Sequence, residues 1–324
     1  MGDLERMEQS IATERIGTPP GRWDKLKRRM WRERYVYMLL LPGVLYYIVY
    51  RYIPMGGLVI AFQEFNPFHG SIWKNDWVGL KNFARIFEDA EVVKVIWNTL
   101  QLSFLQIFMA FPISIVLAIM LNEARNEAFK RIVQSMVYLP HFLSWVVVVG
   151  IFVVFLRGEG LINTFLVGKL GWEPIPFLTD PALFKPVVIL QVIWKESGWG
   201  TIIFLAALAG VNPSLYEAAV IDGANRWRQL WHVTLPAIRS VIVILFILRL
   251  GNVLDTGFEQ IFLMLNPFNT ESGNVLDTYV YFKGIQQGDV SFATAVGMFK
   301  GLVGLVLVVL ANRAAKKFGE EGLY

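Results

Sequence analysis

Six apolar blocks dominate the chain, roughly Tyr35–Ile53, Asn98–Leu121, Ile132–Leu156, Pro186–Leu208, Ala237–Val253 and Phe292–Ala311. Each approaches the roughly 20 residues that carry a helix across the hydrocarbon core, where every backbone polar group must be bonded internally. The pattern predicts an all-α membrane protein with six transmembrane helices. The polar segments between the blocks differ in character. Residues 54–94 hold Asn66-Pro67-Phe68, Trp73, Trp77 and a periodic Phe83, Ile86, Phe87, which predicts a small amphipathic cap with a helix or two. Residues 157–185, rich in glycine and proline, and residues 254–290, with Asn266-Pro267 and Gly273-Asn274 as turn signals, predict irregular external loops.

The stretch from Asn212 to Pro236 is too polar for lipid and too patterned for a plain linker. Ser214 and Glu217 have capping-box spacing behind Pro213, predicting a short helix that Gly223 terminates in a left-handed C-cap. Asn225 can cap a second helix in which Trp227, Leu230 and Trp231 share a face. Two short helices meeting at a glycine between membrane spans make a docking element.

Composition adds limits. The 324 residues are 55% hydrophobic and 17% charged, and the absence of cysteine removes disulfides, thiolate metal sites and thiol nucleophiles. The net charge of +4 matters less than its placement. With the N-terminus in the cytoplasm, that side carries twice as many lysines and arginines as the other, so the positive-inside rule puts both termini and the 212–236 stretch there. The polar, basic first 35 residues do not look like a cleavable signal peptide; the part from Arg22 predicts a basic helix on the membrane surface, and the residues before it disorder.

Inside the apolar blocks stand Lys195, Arg249 and Lys300, accompanied by Gln191, Trp194 and Trp199 in the fourth block and by Asn252 and Asp255 after Arg249. Charges at such depth usually face a cavity or a partner. One reading is a hydrated pathway that hydrogen-bonds hydroxyls, stacks on sugar rings and favours anions, such as an acidic, uronate-type saccharide. The other is helix packing, with the cations paired to Glu196, Asp255 or a partner subunit. Pro42, Pro112 and Pro140 suggest kinks only, and Ala293, Gly297 and Gly301 suggest close helix contact. There is no phosphate loop, no H-E-x-x-H and no G-x-S-x-G motif, and His69, His141 and His232 are too scattered for a metal site or a triad. Three readings follow: a permease powered by a separate ATPase, a self-contained ion-coupled carrier using Glu196, or a scaffold without cargo.

Glu217-Ala218-Ala219, Asp222-Gly223-Ala224 and Val233-Thr234-Leu235-Pro236 resemble the EAA motif of binding-protein-dependent ABC importer permeases, with Val233 where isoleucine is usual. Trp77 to Phe83, Asn98-Thr99-Leu100, Tyr138 to Trp145 and Gly160-Leu161-Ile162-Asn163 are similar to the oligosaccharide and polysaccharide branch, alginate importers included. The resemblance implies a type I importer permease fold in a bacterial inner membrane. Its segments would be a cytoplasmic N-terminal segment (1–34), a six-span permease domain (35–312) with an external cap (54–94) and coupling loop (209–236), and a cytoplasmic tail (313–324). It implies as partners a second homologous permease subunit, two ATPase subunits holding ATP and Mg, and an extracytoplasmic solute-binding protein, with membrane lipid around the spans and no nucleic acid. This chain would then be neither enzyme nor cofactor carrier. Ser214, Tyr216, Glu217, Ala218, Ala219, Asp222 and Gly223 would form the coupling helix and its stop, and Leu235 and Pro236 the return to the membrane.

Overall fold

The computed structural model describes residues 22–69, 71–317 and 319. The disorder expected for the first part of the N-terminal segment, and most of the expected tail beyond Lys317, lie outside the described residues. The chain divides into two compact units, one up to Leu58 and one from Val59 onward.

The first unit holds α1 (Arg22–Arg32) and nearly all of α2 (Arg34–Phe62). α2 is apolar and of spanning length, and its side chains are widely exposed, Leu39 at 83%.

The second unit opens with a two-residue antiparallel ribbon, β1 (Gln63–Glu64) against β2 (Asp76–Trp77), followed by α3 (Lys81–Glu88). The ribbon is tied down by Asn82, whose buried amide donates to the carbonyls of Ala61 and Gln63 at 3.0 and 3.2 Å. Gly79, at φ 60°, makes the turn between them. Within the segment expected to form the cap, the ribbon is joined by the one amphipathic helix α3. Next come α4 (Ala90–Glu123), α5 (Glu127–Tyr138), α6 (Trp145–Leu156) and α7 (Leu161–Leu170). The third apolar block is therefore not one helix. Pro140 lacks the N–H an α-ladder needs, a 3₁₀ turn replaces it over Leu139–Phe142, and Ser144 caps a fresh helix by accepting from the Val147 N–H at 3.4 Å. The segment of spanning length and apolarity is Trp145–Leu170, so ten residues of the loop expected at 157–185 form α7, which ends at Gly171 with φ 66°.

α8 (Pro181–Ala209) runs through the middle of the unit, packed along residues 111–123 of α4. α9 (Pro213–Ile221) leads to α10 (Arg226–Ala237) and α11 (Arg239–Gly251), an apolar pair bent by 61°. Among the described residues five helices are long and apolar enough to span a membrane, and the bent pair, counted as one span, makes six. The segment expected to be an irregular external loop, 254–290, instead forms α12 (Phe258–Met264), α13 (Thr270–Gly273) and α14 (Leu276–Tyr281) before α15 (Val290–Lys317). Ile261, Met264 and Val275 are buried with Phe184, Val187, Val188 and Ile189 of α8, so much of this polar-looking segment is core.

Three of the four π-turns among the described residues share one cause, the fourth, Phe282–Gln286, having no proline after it. The three run Ile48–Tyr52, Gln106–Ala110 and Leu230–Thr234, and each begins six residues before a proline: Pro54, Pro112 and Pro236. A proline ring crowds the preceding turn and donates no hydrogen bond, and a widened turn relieves both. Prolines expected only to kink thus also re-aim side chains. The close approach expected at Gly297 and Gly301 is absent, with no atom within 4 Å of a β-carbon at either; it occurs one turn further on, where Gly304 faces the Gly251 carbonyl at 2.5 Å from such a carbon.

Candidate functional site

The π-turn ahead of Pro112 carries Gln106, buried in an otherwise apolar stretch, and its Oε1 accepts a hydrogen bond from Nη2 of Arg249 on α11. Around this pair lie two adjoining cavities. The first, ≈ 350 Å³, is lined among others by Gln106, Ser114, Glu196, Trp199, Arg249 and Asn252. The second, ≈ 410 Å³, shares Gln106, Glu196, Arg249 and Asn252 and adds Trp145, Asp255, Thr256 and Gln260. Thr256 Oγ1 and Gln260 Oε1 are buried without a hydrogen-bond partner in this second wall. An unsatisfied buried acceptor or hydroxyl costs on the order of 1–3 kcal/mol, which a ligand hydroxyl would offset.

Of the residues singled out in the sequence, Trp199, Arg249 and Asn252 come together on these walls, with the carboxylates Glu196 and Asp255 beside them. Trp199 is held flat against the His141 ring, centroids 4.7 Å apart and planes 11° apart. Lys195 lies behind the wall. It is buried, donates to the His141 and Leu143 carbonyls at 2.7 Å each, and stands 3.7 Å from Glu196. Those carbonyls belong to the broken turn after α5, so Lys195 satisfies the polar groups that the break exposes. Lys300 pairs with Asp277 and, at 3.7 Å, with Asp255, while burial holds the Asp277 carboxyl above the usual carboxylate range. Gln191 accepts from Gln260 Nε2 at 2.8 Å, and Trp194 meets Phe152 edge-on. Lys195, Lys300, Gln191 and Trp194 do not line the two cavities. Gln106, Thr256 and Gln260 are not singled out by the sequence, and His141 stands there only as one of three scattered histidines. Gln106 could have been found as a lone amide deep in an apolar block; His141 could not, because its contact with Glu196 Oε2 at 3.0 Å joins residues 55 positions apart.

The second site is α9 and its surroundings. Asn212, not Ser214, caps α9: its Oδ1 accepts from the Ser214 N–H at 3.0 Å. Pro213 starts the helix two residues earlier than the capping box requires, which leaves Glu217 exposed within it. The far end is a Schellman motif: Ala224 N–H bonds the Ala219 carbonyl at 2.8 Å, Gly223 N–H bonds that of Val220 at 3.0 Å, and Gly223 has φ 74°. Asn225 then caps α10 as expected, accepting from Arg228 N–H. Tyr216 turns inward, its hydroxyl 3.1 Å from Thr234 Oγ1 in the π-turn that precedes Pro236. The outward residues are Leu215, Val220 and Ile221, the last 86% exposed. Arg226 reaches Glu123 at the end of α4 at 3.1 Å.

A bundle of membrane-length helices with a polar cavity and an exposed, capped helix between spans defines a multi-pass transport component. The chain belongs to the family of binding-protein-dependent transport system inner membrane components, whose pattern matches residues 110–319. It is 51% identical over 305 residues to the polygalacturonan/rhamnogalacturonan transport system permease protein YteP of Bacillus subtilis (strain 168), covering 93% of this chain and 94% of that one. It superposes with TM-score 0.85 and 37% identity on a chain of a bacterial alginate ABC transporter crystallised with an alginate pentasaccharide-bound periplasmic protein, covering 92% of this chain and all of that one. A chain from a second structure, of a bacterial ABC transporter involved in import of the acidic polysaccharide alginate, gives TM-score 0.83 and 38% identity over 90% of this chain and 99% of that one. The chain is thus a permease of a sugar ABC importer with a type I permease fold, a transport subunit and not an enzyme. This sets aside the ion-coupled carrier and the scaffold.

Proposed function

We propose that this permease passes an acidic, uronate-type oligosaccharide through the cavities around Arg249. The observation that carries the reading is Arg249 itself, an arginine lining both cavities whose side-chain hydrogen bond goes to a neutral amide. Lys195 and Lys300 support it only indirectly, because each is already engaged with its own carboxylates. Trp199 and Trp145 offer flat faces for sugar rings, and Asn252, Thr256 and Gln260 offer hydrogen bonds to hydroxyls. The acidic polysaccharides in the names of similar transporters agree with this choice.

In the same reading α9 is the coupling helix. Leu215, Val220 and Ile221 enter a groove on one of two ATPase subunits, which hold ATP and Mg, while a second homologous permease completes the pathway and an extracytoplasmic binding protein delivers the sugar. Both termini and α9 face the cytoplasm, consistent with the lysine and arginine distribution. The test is the reconstituted complex in vesicles. Uronate oligomers are expected to stimulate ATP hydrolysis and uptake, and Arg249→Gln to lower the apparent affinity for them at least about tenfold, the loss of one charge-assisted hydrogen bond. Equal stimulation by neutral oligosaccharides would refute the acidic specificity. Uptake driven by an ion gradient without ATP would refute the coupling.

A further inference from the structure

We infer that α1 is a docking surface for the headgroups of anionic phospholipids; the inference rests on α2 spanning the membrane. From Arg22 to Arg34 the sequence carries seven lysines and arginines against Asp24 and Glu33. Arg28, Arg29 and Arg32 are exposed, and so are Trp23, Met30 and Trp31, at 77%, 55% and 72%. Trp23 and Met30 stand seven residues apart and fall on one side of the helix. Glu33 engages Arg29 at 3.2 Å and lies 3.8 Å from Arg32, and with both carboxylates counted the stretch keeps a net charge of +5.

Position follows from continuity of the chain. A single residue, Glu33, separates α1 from α2, so the 11-residue helix, about 16 Å long, begins where the span ends and lies at headgroup depth. At that joint the Arg34 guanidinium sits over the rings of Trp31 and Tyr35, 4.9 and 4.7 Å from their centroids, and donates to the Tyr35 hydroxyl at 3.1 Å. Tryptophan and tyrosine favour that layer, and guanidinium groups match phosphate oxygens bidentately. Zwitterionic headgroups would gain the aromatic contacts but little from the cations. Anionic ones gain about fivefold in affinity per nearby cation, which makes lipid charge the variable that orders α1.

The experiment uses the full importer complex in nanodiscs of phosphatidylcholine alone or mixed with an equal part of phosphatidylglycerol, and reads amide hydrogen exchange over residues 22–34. Phosphatidylglycerol is expected to slow exchange at least about tenfold. High salt and the triple substitution Arg28→Gln, Arg29→Gln, Arg32→Gln are expected to abolish most of that slowing. Exchange over α8 in the same sample reports whether the variant is folded, and the salt and lipid arms need no variant. Equal exchange in the two lipids overturns the inference, as does slowing that follows the ATPase subunits and ignores lipid charge. Because the readout does not involve sugar, it stands or falls separately from the cargo reading.

Discussion

At Arg249 a guanidinium stands in an apolar helix with a neutral amide as its hydrogen-bonding partner, and the two hold each other at the cavity wall. An arginine placed centrally in a membrane helix costs on the order of 3 kcal/mol on insertion scales, so Gln106 contributes to folding as well as to the site. Gln106→Leu is expected to destabilise the permease by about 1–3 kcal/mol, read as a lower unfolding temperature in detergent, whereas Gln101→Leu, on the same helix but paired with Lys185, is expected to loosen α8 without changing sugar affinity. At this scale the sequence discloses depth but not azimuth. Lys195, Arg249 and Lys300 all register as buried charge, yet of the three Arg249 alone lines the two cavities described, because which side of a helix faces a neighbour depends on contacts from distant segments. The carbonyls that hold Lys195 belong to residues more than fifty positions away.

Elements were more legible where the chain's own chemistry ends them. Gly223 and Asn225 show their roles in sequence because a left-handed stop and an asparagine cap are local devices. The start of α9 was misjudged by two residues because two capping arrangements overlap there, and proline at the first helical position decided for Asn212. Asn212→Ala is expected to raise amide exchange in residues 213–221 by the equivalent of about 1 kcal/mol, and Glu217→Ala to leave it unchanged; the reverse ranking would restore the capping box. Gly223→Val is expected to abolish ATP-coupled uptake while the protein still inserts, since a β-branched residue resists φ 74°. The third span was misjudged for a different reason. Periodicity does not distinguish an apolar helix from two helices broken at a proline, and the break at Pro140 becomes visible only with Ser144 read as a new cap.

For the whole molecule, six apolar segments were readable, and the membrane sets their number. The burial of 254–290 was not readable, because Gln260, Asn269, Asn274 and Thr278 look solvent-facing until their partners are known. Asn269 donates to the Leu178 and Met264 carbonyls, and Thr278 closes on Asn274 and Val275. Ion pairs between distant segments contribute less: Arg226–Glu123 is exposed on both sides, and a double-mutant cycle is expected to give a coupling energy below about 1 kcal/mol. The crossing of α11 and α15 should be far more sensitive. Gly304→Leu is expected to cost more than about 2 kcal/mol through overpacking against the Gly251 carbonyl, with Gly301→Ala, in open space, as the neutral control.

That crossing has the geometry of a bearing, should α11 turn against α15. Gly304 faces the Gly251 carbonyl directly, and of the side chains only Val308 presses on Gly251, so little has to repack before one helix turns against the other. Arg249 and Asn252 flank this contact within two residues, so they sit close to the axle and the α9 end of the α10–α11 pair sits far from it. A wide sweep at the exposed end would then become a small, stiff rotation of the guanidinium, the mechanical ratio expected of a gate that releases its cargo without opening its own wall.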